Sequence, residues 1–201
     1  MRHPLIALFL LMLPASAIAE PQYFRVTGVA ADDTLNVRAE PAASSADIGD
    51  LAYNARAIEV AGTDASGKWG RIVWHEGNGW ISMRFLMPEE QTKVQNSPLP
   101  NGLVCAGTEP FWSATLGTSQ AVMGTGETLF YNNTQISAAG RGDFPVHLQM
   151  KDGHLESHML IRPANCSDGM SDRIYPWGVD FLSATSGETI YQVGCCYLPL
   201  Q

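Results

Sequence analysis

The sequence predicts an all-β protein, and three observations support this fold class. Charged residues make up only 16% of the chain. Its 19 glycines supply frequent turn positions, and threonine, valine and tryptophan recur between them, as is typical of sheets. Short strand-like stretches separated by turn residues fill the first half, and the second half adds four cysteines. We therefore expect a small closed barrel followed by a disulfide-bonded antiparallel β-domain.

The chain opens with a segment that predicts export. Within residues 1–19, a short polar start precedes the apolar residues 5–13, and the small–x–small sequence Ala17-Ile18-Ala19 follows. This apolar run is too short to cross a hydrocarbon core, which takes about 20 residues. We therefore expect cleavage near Ala19 and a periplasmic or secreted mature protein, without a membrane span, that begins at about Glu20.

The charge balance limits the partners. Without Arg2, the mature chain carries 11 basic and 20 acidic residues, a net charge of −9. Nucleic acids and anionic lipids would be repelled by this charge. We expect neither as a partner.

Alternating and apolar runs predict five short strands in the first half, at 23–29, 35–38, 57–60, 69–74 and 79–81. On the fourth strand, Trp69 and Trp74 point to opposite faces. We expect Trp69 in the core and Trp74 at the surface. The polar, proline-flanked residues 89–102 predict a linker between a first domain at 20–88 and a second at 103–201.

Four motifs in the first half resemble those of a bacterial SH3 domain. They are Leu35-Asn36-Val37-Arg38 followed by Pro41, Ile48-Gly49-Asp50-Leu51, Trp69-Gly70-Arg71-Ile72 and Gly79-Trp80-Ile81. The similarity covers residues 23–86, and it departs from the family at Tyr53-Asn54-Ala55, where a glycine turn is usual. The resemblance implies a small SH3-like barrel that binds the cell wall or peptides and lacks catalysis.

Aromatic and polar side chains indicate where such a barrel would hold a ligand. We expect the ligand-binding residues to be Asn36, Arg38, Tyr53, Trp74 and Trp80. Aromatic rings and an arginine on a small barrel can form a groove that stacks on sugars or on a peptide backbone. The alternatives are that Trp69 and Trp80 pack the core or the edge of the small barrel and that Arg38 is a solvated surface residue.

The second half contains the cysteines Cys105, Cys166, Cys195 and Cys196. An even number in an exported protein predicts two disulfides. The neighbours Cys195 and Cys196 point to opposite faces of a strand and bridge poorly to one another. We expect each of them to pair with Cys105 or Cys166, in either arrangement. A redox-active pair is the alternative, although no Cys-x-x-Cys motif is present.

Three motifs of the second half resemble those of an uncharacterised family of bacterial envelope proteins. They are Cys105-Ala106-Gly107-Thr108-Glu109-Pro110-Phe111-Trp112, Cys166-Ser167-Asp168-Gly169-Met170-Ser171-Asp172 and Gly194-Cys195-Cys196. The resemblance implies a shared fold and shared disulfides, and no activity. Locally, Asp168-Gly169 predicts a turn, and we expect Asp172 to brace Arg173.

Residues 145–151 and 154–160 predict a hairpin around Asp152-Gly153. This turn would pair Lys151 with His154, Gln149 with Glu156 and His147 with His158, with apolar residues on the other face. Two opposed histidines suggest a zinc or copper site. A third or fourth ligand is not apparent, however, and Lys151 would oppose a cation. We therefore expect a solvated face and no metal.

The sequence lacks the motifs of well-known enzyme classes, such as Gly-x-Ser-x-Gly, His-Glu-x-x-His or a phosphate-binding loop. We expect a non-catalytic binding protein without a cofactor, whose barrel contacts peptidoglycan or a peptide and whose second domain offers a surface to a protein partner. One alternative is a metal-binding protein or a hydrolase with its site in residues 103–197, with Glu109 and Asp168 as a carboxylate pair. Another is a lysozyme inhibitor, which rests on compartment and architecture alone.

Overall fold

The computed structural model describes residues 20–95, 97–117, 121–124, 128–131, 133–138, 143–152, 155–185 and 188–200. The predicted export signal, its cleavage site near Ala19 and the hairpin residue His154 lie outside these ranges. The described residues form three antiparallel sheets and a short 3-10 turn at Met83–Phe85, which confirms the all-β prediction. Across the same ranges, helices of the length and hydropathy needed to span a bilayer are absent.

Two small sheets make up the first half. Their strands are β1 (Gln22–Val26), β2 (Thr34–Arg38), β3 (Asp47–Ala52), β4 (Ile58–Val60), β5 (Gly62–Thr63), β6 (Trp69–Trp74), β7 (Gly77–Ser82) and β8 (Leu86–Pro88). Sheet A has the order β4-β1-β8, and sheet B has the order β3-β2-β7-β6-β5. The five predicted strands coincide with β1, β2, β4, β6 and β7. The pattern misses β3, β5 and β8, because they are polar or very short.

The two faces of β6 are the opposite of those predicted from the sequence. Ile72 is only 1% exposed, so the face of β6 that carries Ile72 points inward. Trp69 therefore lies half-buried on the outer face, and the prediction that it belongs to the core is wrong. Trp74 packs against the core instead, and its Nε1 donates a hydrogen bond to the carbonyl of Ile48 at 3.2 Å. Alternation alone could not decide between the faces, because each carries one tryptophan.

A single large sheet makes up the second half. Its strands are β9 (Leu103–Thr108), β10 (Phe111–Leu116), β11 (Ala121–Gly124), β12 (Thr128–Tyr131), β13 (Asn133–Ala138), β14 (Val146–Asp152), β15 (Leu155–Cys166), β16 (Tyr175–Thr185) and β17 (Glu188–Tyr197). Sheet C has the order β12-β11-β10-β9-β17-β16-β15-β14-β13. It curls until β12 comes close to β14, and the inner face encloses one apolar core. Trp112, Trp177 and Phe181 supply the bulk of that core.

The segment at 89–102, predicted as a linker, is packed rather than solvated. Val94 is 1% exposed and Leu99 is fully buried, and both belong to the core of sheet C. The amide of Val94 donates to the carbonyl of Leu99 at 2.9 Å. The turn buries two apolar side chains within a stretch whose polar residues suggested a solvated linker. The two halves are therefore joined by a structured connection.

The structure contains two disulfides, and Cys195 and Cys196 each bond to a different distant cysteine. Cys196 on β17 bonds Cys105 on β9, and Cys195 bonds Cys166 at the end of β15. Cys105 and Cys196 are fully buried in the core, whereas Cys195 points to the other face of β17. The structure thus confirms that each neighbour pairs with a separate distant cysteine, and it resolves which pairing is used.

The β14–β15 hairpin forms in a different register from the predicted one. His147 lies opposite Leu160 and Gln149 lies opposite His158, so the two histidines are diagonal neighbours and not directly opposed. The shift amounts to two residues on one strand. Such a shift leaves every side chain on its predicted face, and Leu148 and Met159 are fully buried as expected. The apolar pattern therefore cannot distinguish the two registers.

Candidate functional site

The outer face of sheet B carries a row of large side chains across three strands. Arg38 on β2 lies opposite Trp80 on β7, and Trp80 lies opposite Arg71 on β6. Each of these strands buries the alternate residues, and Val37, Ile72 and Ile81 are at most 1% exposed. The half-exposed indole of Trp80 is therefore flanked by two arginines on a surface that faces away from the core.

Neighbouring polar groups hold Arg38 in place within this row. Its guanidinium donates to the carbonyl of Ser45 at 3.2 Å and lies 3.6 Å from the carboxylate of Asp47. The side-chain amide of Asn36 donates to the same carboxylate. That hydrogen bond, the backbone amide of Gly49 and the charge of Arg38 lower the pKa of Asp47. Arg38 is thus oriented by the protein before any ligand arrives.

Arg71 was not among the predicted ligand residues, although its environment is the most unusual on this face. Its Nη2 donates to the side chain of Asn165 at 2.8 Å. Its Nε is buried and has no hydrogen-bond partner among the described residues. Desolvation lowers the pKa of Arg71. A buried donor without a partner costs about 1–3 kcal/mol, so the packing around Arg71 offsets an unsatisfied hydrogen bond.

The predicted ligand residues do not all meet. Asn36, Arg38 and Trp80 share the outer face of sheet B. Trp74 lies on the opposite side of β6, where its ring covers Gly49, whose added Cβ would approach the indole to 2.5 Å. Tyr53 is 41% exposed in the turn that follows β3. The alternation of β6 was the signal that could have placed Arg71 and Trp69 on the site, once Ile72 was taken as the inward residue.

One end of this face is bordered by the β15–β16 connection of the second half. Ile174 exchanges two hydrogen bonds with the side-chain amide of Asn78, at 2.7 and 3.2 Å. Arg173 reaches the β6–β7 turn, where its guanidinium pairs with Glu76 at 3.1 Å and donates to the carbonyl of His75. The predicted brace between Asp172 and Arg173 is therefore wrong, because Arg173 bridges the two halves instead.

The Cys166–Asp172 motif shapes this bordering loop. The carboxylate of Asp168 accepts hydrogen bonds from the amides of Met170 and Ser171 and from the hydroxyls of Ser171 and Tyr175, all at 2.8–3.0 Å. Burial alone would raise the pKa of Asp168, but these hydrogen bonds lower it to about 2. A carboxylate held ionised by four donors is a structural brace and a poor proton donor.

The other two cysteine motifs surround Trp112. A Cβ added at Gly107 would lie 2.1 Å from the indole Nε1, and one added at Gly194 would lie 2.9 Å from the ring. Both positions therefore need glycine, because the space of a side chain is occupied by the indole ring at Gly107 and by the carbonyl of Ala106, at 2.2 Å, together with the ring at Gly194. The glycines and the tryptophan of these two motifs therefore have a structural role, namely packing in the core of sheet C.

A second contact between the halves centres on Glu59 of β4. Its side chain is 5% exposed and accepts three hydrogen bonds. Oε1 receives the hydroxyl of Tyr23 at 3.0 Å and the indole of Trp177 at 2.8 Å, and Oε2 receives the amide of Leu198 at 2.7 Å. Burial raises the pKa of Glu59 to about 7, although these hydrogen bonds oppose the rise. Glu59 thus fastens sheet A to sheet C.

Over the ranges that the structure covers, no three histidine, cysteine, aspartate or glutamate side chains converge as a metal cluster would. The Arg38–Trp80–Arg71 row brings oriented, partly exposed polar and aromatic groups together on one face of sheet B. In comparisons with protein-family profiles, with curated proteins and with solved structures, nothing matches this chain.

Proposed function

We propose that this chain is a non-catalytic binding protein of the bacterial envelope, periplasmic or secreted. Its ligand is peptidoglycan or a wall-derived peptide, held on the outer face of sheet B around Trp80. The observation that carries the proposal is the row in which Trp80 lies between Arg38 and Arg71. The resemblance of residues 23–86 to bacterial SH3 domains supports it, because Asn36, Arg38 and Trp80 belong to the resembling motifs.

The chemistry of the row suits such a ligand. An indole face packs against the apolar side of a sugar ring or against a peptide plane. The flanking guanidinium groups favour carboxylates, which peptides of the wall carry. Two disulfides are compatible with the oxidising compartment in which such a ligand occurs.

The test is retention of the chain from Glu20 to Gln201 on insoluble peptidoglycan. We expect Trp80→Ala to weaken binding about tenfold or more, because a central aromatic anchor dominates the affinity of small interfaces. Trp80→Tyr should retain much of the binding, since it keeps an aromatic face. Arg38→Gln should weaken binding and reduce its dependence on salt concentration.

Phe111→Ala is the matched control, because Phe111 is an exposed aromatic residue of sheet C (70% exposed) far from the row in the chain. It should bind as the parent does. Thermal unfolding of each variant checks that the fold is intact. Equal retention of the parent and of Trp80→Ala would contradict the proposal, as would no retention of the parent above an unrelated β-protein.

A further inference from the structure

Arg71 is a half-buried cation without an anionic partner. Across the residues that the structure describes, no carboxylate lies within ion-pairing distance of its guanidinium, and burial lowers its pKa. Two other described arginines, Arg25 and Arg84, also lack an acidic partner, but both are exposed to solvent. Removing a charge from water without a counter-ion is costly. The outer face of sheet B therefore holds a cation that an anion from outside the chain would stabilise.

The row on sheet B is not symmetric about Trp80. Arg38, on one side of the indole, lies 3.6 Å from the carboxylate of Asp47 and already has a counter-ion. Arg71, on the other side, donates from Nη2 to the neutral side chain of Asn165 at 2.8 Å. The uncompensated positive charge of the row is therefore at its Arg71 end.

The guanidinium of Arg71 keeps hydrogen-bond donors for a ligand. Of its five N–H groups, the one on Nε is buried and one on Nη2 is taken by Asn165. The remaining N–H groups lie on the two Nη atoms, and one from each forms the two parallel hydrogen bonds that an arginine makes to a carboxylate. The opposite residue on β5 is Gly62, where an added Cβ would meet nothing within 4 Å. Space is therefore open beside Arg71 on the same face.

The second half of the chain fixes the orientation of Arg71. Asn165 lies near the end of β15, next to Cys166, whose disulfide anchors this end of the strand to β17. The connection that follows is attached to sheet B by the two hydrogen bonds between Ile174 and Asn78. Asn165 is therefore held beside β6, and its side-chain oxygen directs one edge of the guanidinium.

We propose that Arg71 is the carboxylate-binding residue of the Trp80 face and that Asn165, from the second half, positions it. The ligand class is a peptide or sugar–peptide with a free carboxylate, which binds with the carboxylate at the Arg71 end and with its planar or apolar part on Trp80. This inference rests on the proposed wall-binding function and adds an orientation of the ligand to it. It also gives the second half a role in a site that the barrel by itself would leave incomplete.

The experiment compares retention on two forms of insoluble peptidoglycan, one native and one whose carboxyl groups have been converted to amides with carbodiimide and ammonia. The chain from Glu20 to Gln201 is used in about 0.15 M salt, which screens the long-range repulsion between the acidic chain and the wall. We expect the parent to bind the native form about tenfold or more tightly than the amidated form, since amidation removes the charged contact.

Two substitutions should abolish this preference. Arg71→Gln should bind the native form about tenfold more weakly than the parent and bind both forms alike, because the charge that discriminates between them is removed. Asn165→Asp should have the same effect, because it keeps the size of the side chain and supplies Arg71 with a carboxylate from within the protein. Asn165→Ala should lose part of the preference, since Arg71 is no longer held. Arg38→Gln should keep a clear preference for the native form, because Arg71 is intact.

Asn101→Asp is the matched control, because it adds the same charge at an exposed position outside the row, and it should keep the preference of the parent. Thermal unfolding checks that each variant is folded, and Asn165→Asp decides the question if Arg71→Gln does not fold. A parent that binds both forms equally would overturn the carboxylate site and leave the proposed function standing. A preference that survives in both Arg71→Gln and Asn165→Asp would overturn the site too. No retention of the parent on either form would contradict the proposed function, and the carboxylate site with it.

Discussion

Replacement of Glu59 by alanine is expected to lower the free energy of unfolding at pH 5 by about 4 kcal/mol. The substitution leaves the indole of Trp177 and the amide of Leu198 without their acceptor, and the hydroxyl of Tyr23 without its partner, in a buried place. Each orphaned buried group costs about 1–3 kcal/mol. The loss is large because Glu59 is the shared acceptor through which sheet A is fastened to sheet C.

Glutamine is the sharper substitution, because it has nearly the shape of glutamate. The indole of Trp177 and the amide of Leu198 are pure donors, and they address different oxygens of Glu59. An amide group has only one oxygen, so its NH₂ group must face one of these N–H donors, and neither of the two can accept a hydrogen bond. Glu59→Gln should therefore cost about 2–3 kcal/mol at pH 5 despite its similar volume. A protonated carboxyl avoids this conflict, since its hydroxyl can donate to the Tyr23 oxygen.

The pH dependence of this effect follows from the raised pKa of Glu59. The pKa is about 7 in the folded protein, against 4.5 for an ordinary glutamate. Between these values the folded state keeps a proton that the unfolded chain has released. Stability from this group is therefore complete below pH 4.5, falls as the pH rises towards 7, and stays low above it. The total loss is about 3 kcal/mol.

Urea unfolding at pH 5 and at pH 8 measures these effects. The difference in unfolding free energy between the parent and Glu59→Gln should be largest at pH 5 and should shrink at pH 8, because the variant has no proton to lose. Glu40→Gln is the matched control, since Glu40 is exposed, and it should change stability by less than about 0.5 kcal/mol. A parent–variant difference that is the same at both pH values would contradict the raised pKa.

Glu59 also shows why the contact between the halves could not be predicted. The strand sequence Ile58-Glu59-Val60 alternates, and that pattern assigns Glu59 to a solvated face. Trp177 and Leu198, which cover it, are 118 and 139 residues away in the chain. The alternation of apolar and polar residues indicates which side chains share a face of one strand. It does not indicate that a distant sheet covers the outer face of that strand.

The sequence does predict part of the outer face of sheet B. Val37 and Ile81 fix the inward face of β2 and β7, so the alternation of these strands puts Asn36, Arg38 and Trp80 on the outer face. On β6 the same logic fails, since both faces carry a tryptophan, and Arg71 was missed as a result. In the β14–β15 hairpin the faces were predicted but the register was not, because a two-residue slip conserves the pattern.

Loss of the disulfide between Cys105 and Cys196 should destabilise the protein more than loss of the one between Cys166 and Cys195. The first closes a sequence separation of 91 residues and the second one of 29. Chain entropy assigns about 4–5 kcal/mol to the longer loop and about 3–4 kcal/mol to the shorter. Cys105 and Cys196 are also fully buried in the core of sheet C. Their replacement by alanine adds the cost of a cavity.

The measurement compares urea unfolding of the double variants Cys105→Ala/Cys196→Ala and Cys166→Ala/Cys195→Ala with that of the parent. Paired replacement matters, because a single variant leaves a free thiol beside an intact bridge, and Cys195 and Cys196 are adjacent enough for exchange. We expect the Cys105/Cys196 variant to lose at least about 1 kcal/mol more than the other. The reverse order would mean that docking of the β15–β16 loop, which the Cys166–Cys195 bridge anchors beside Asp168, holds the halves together more strongly than core closure does. In that case the loop contacts at Asn78 and Glu76, rather than Glu59, would be the main fastening between the sheets.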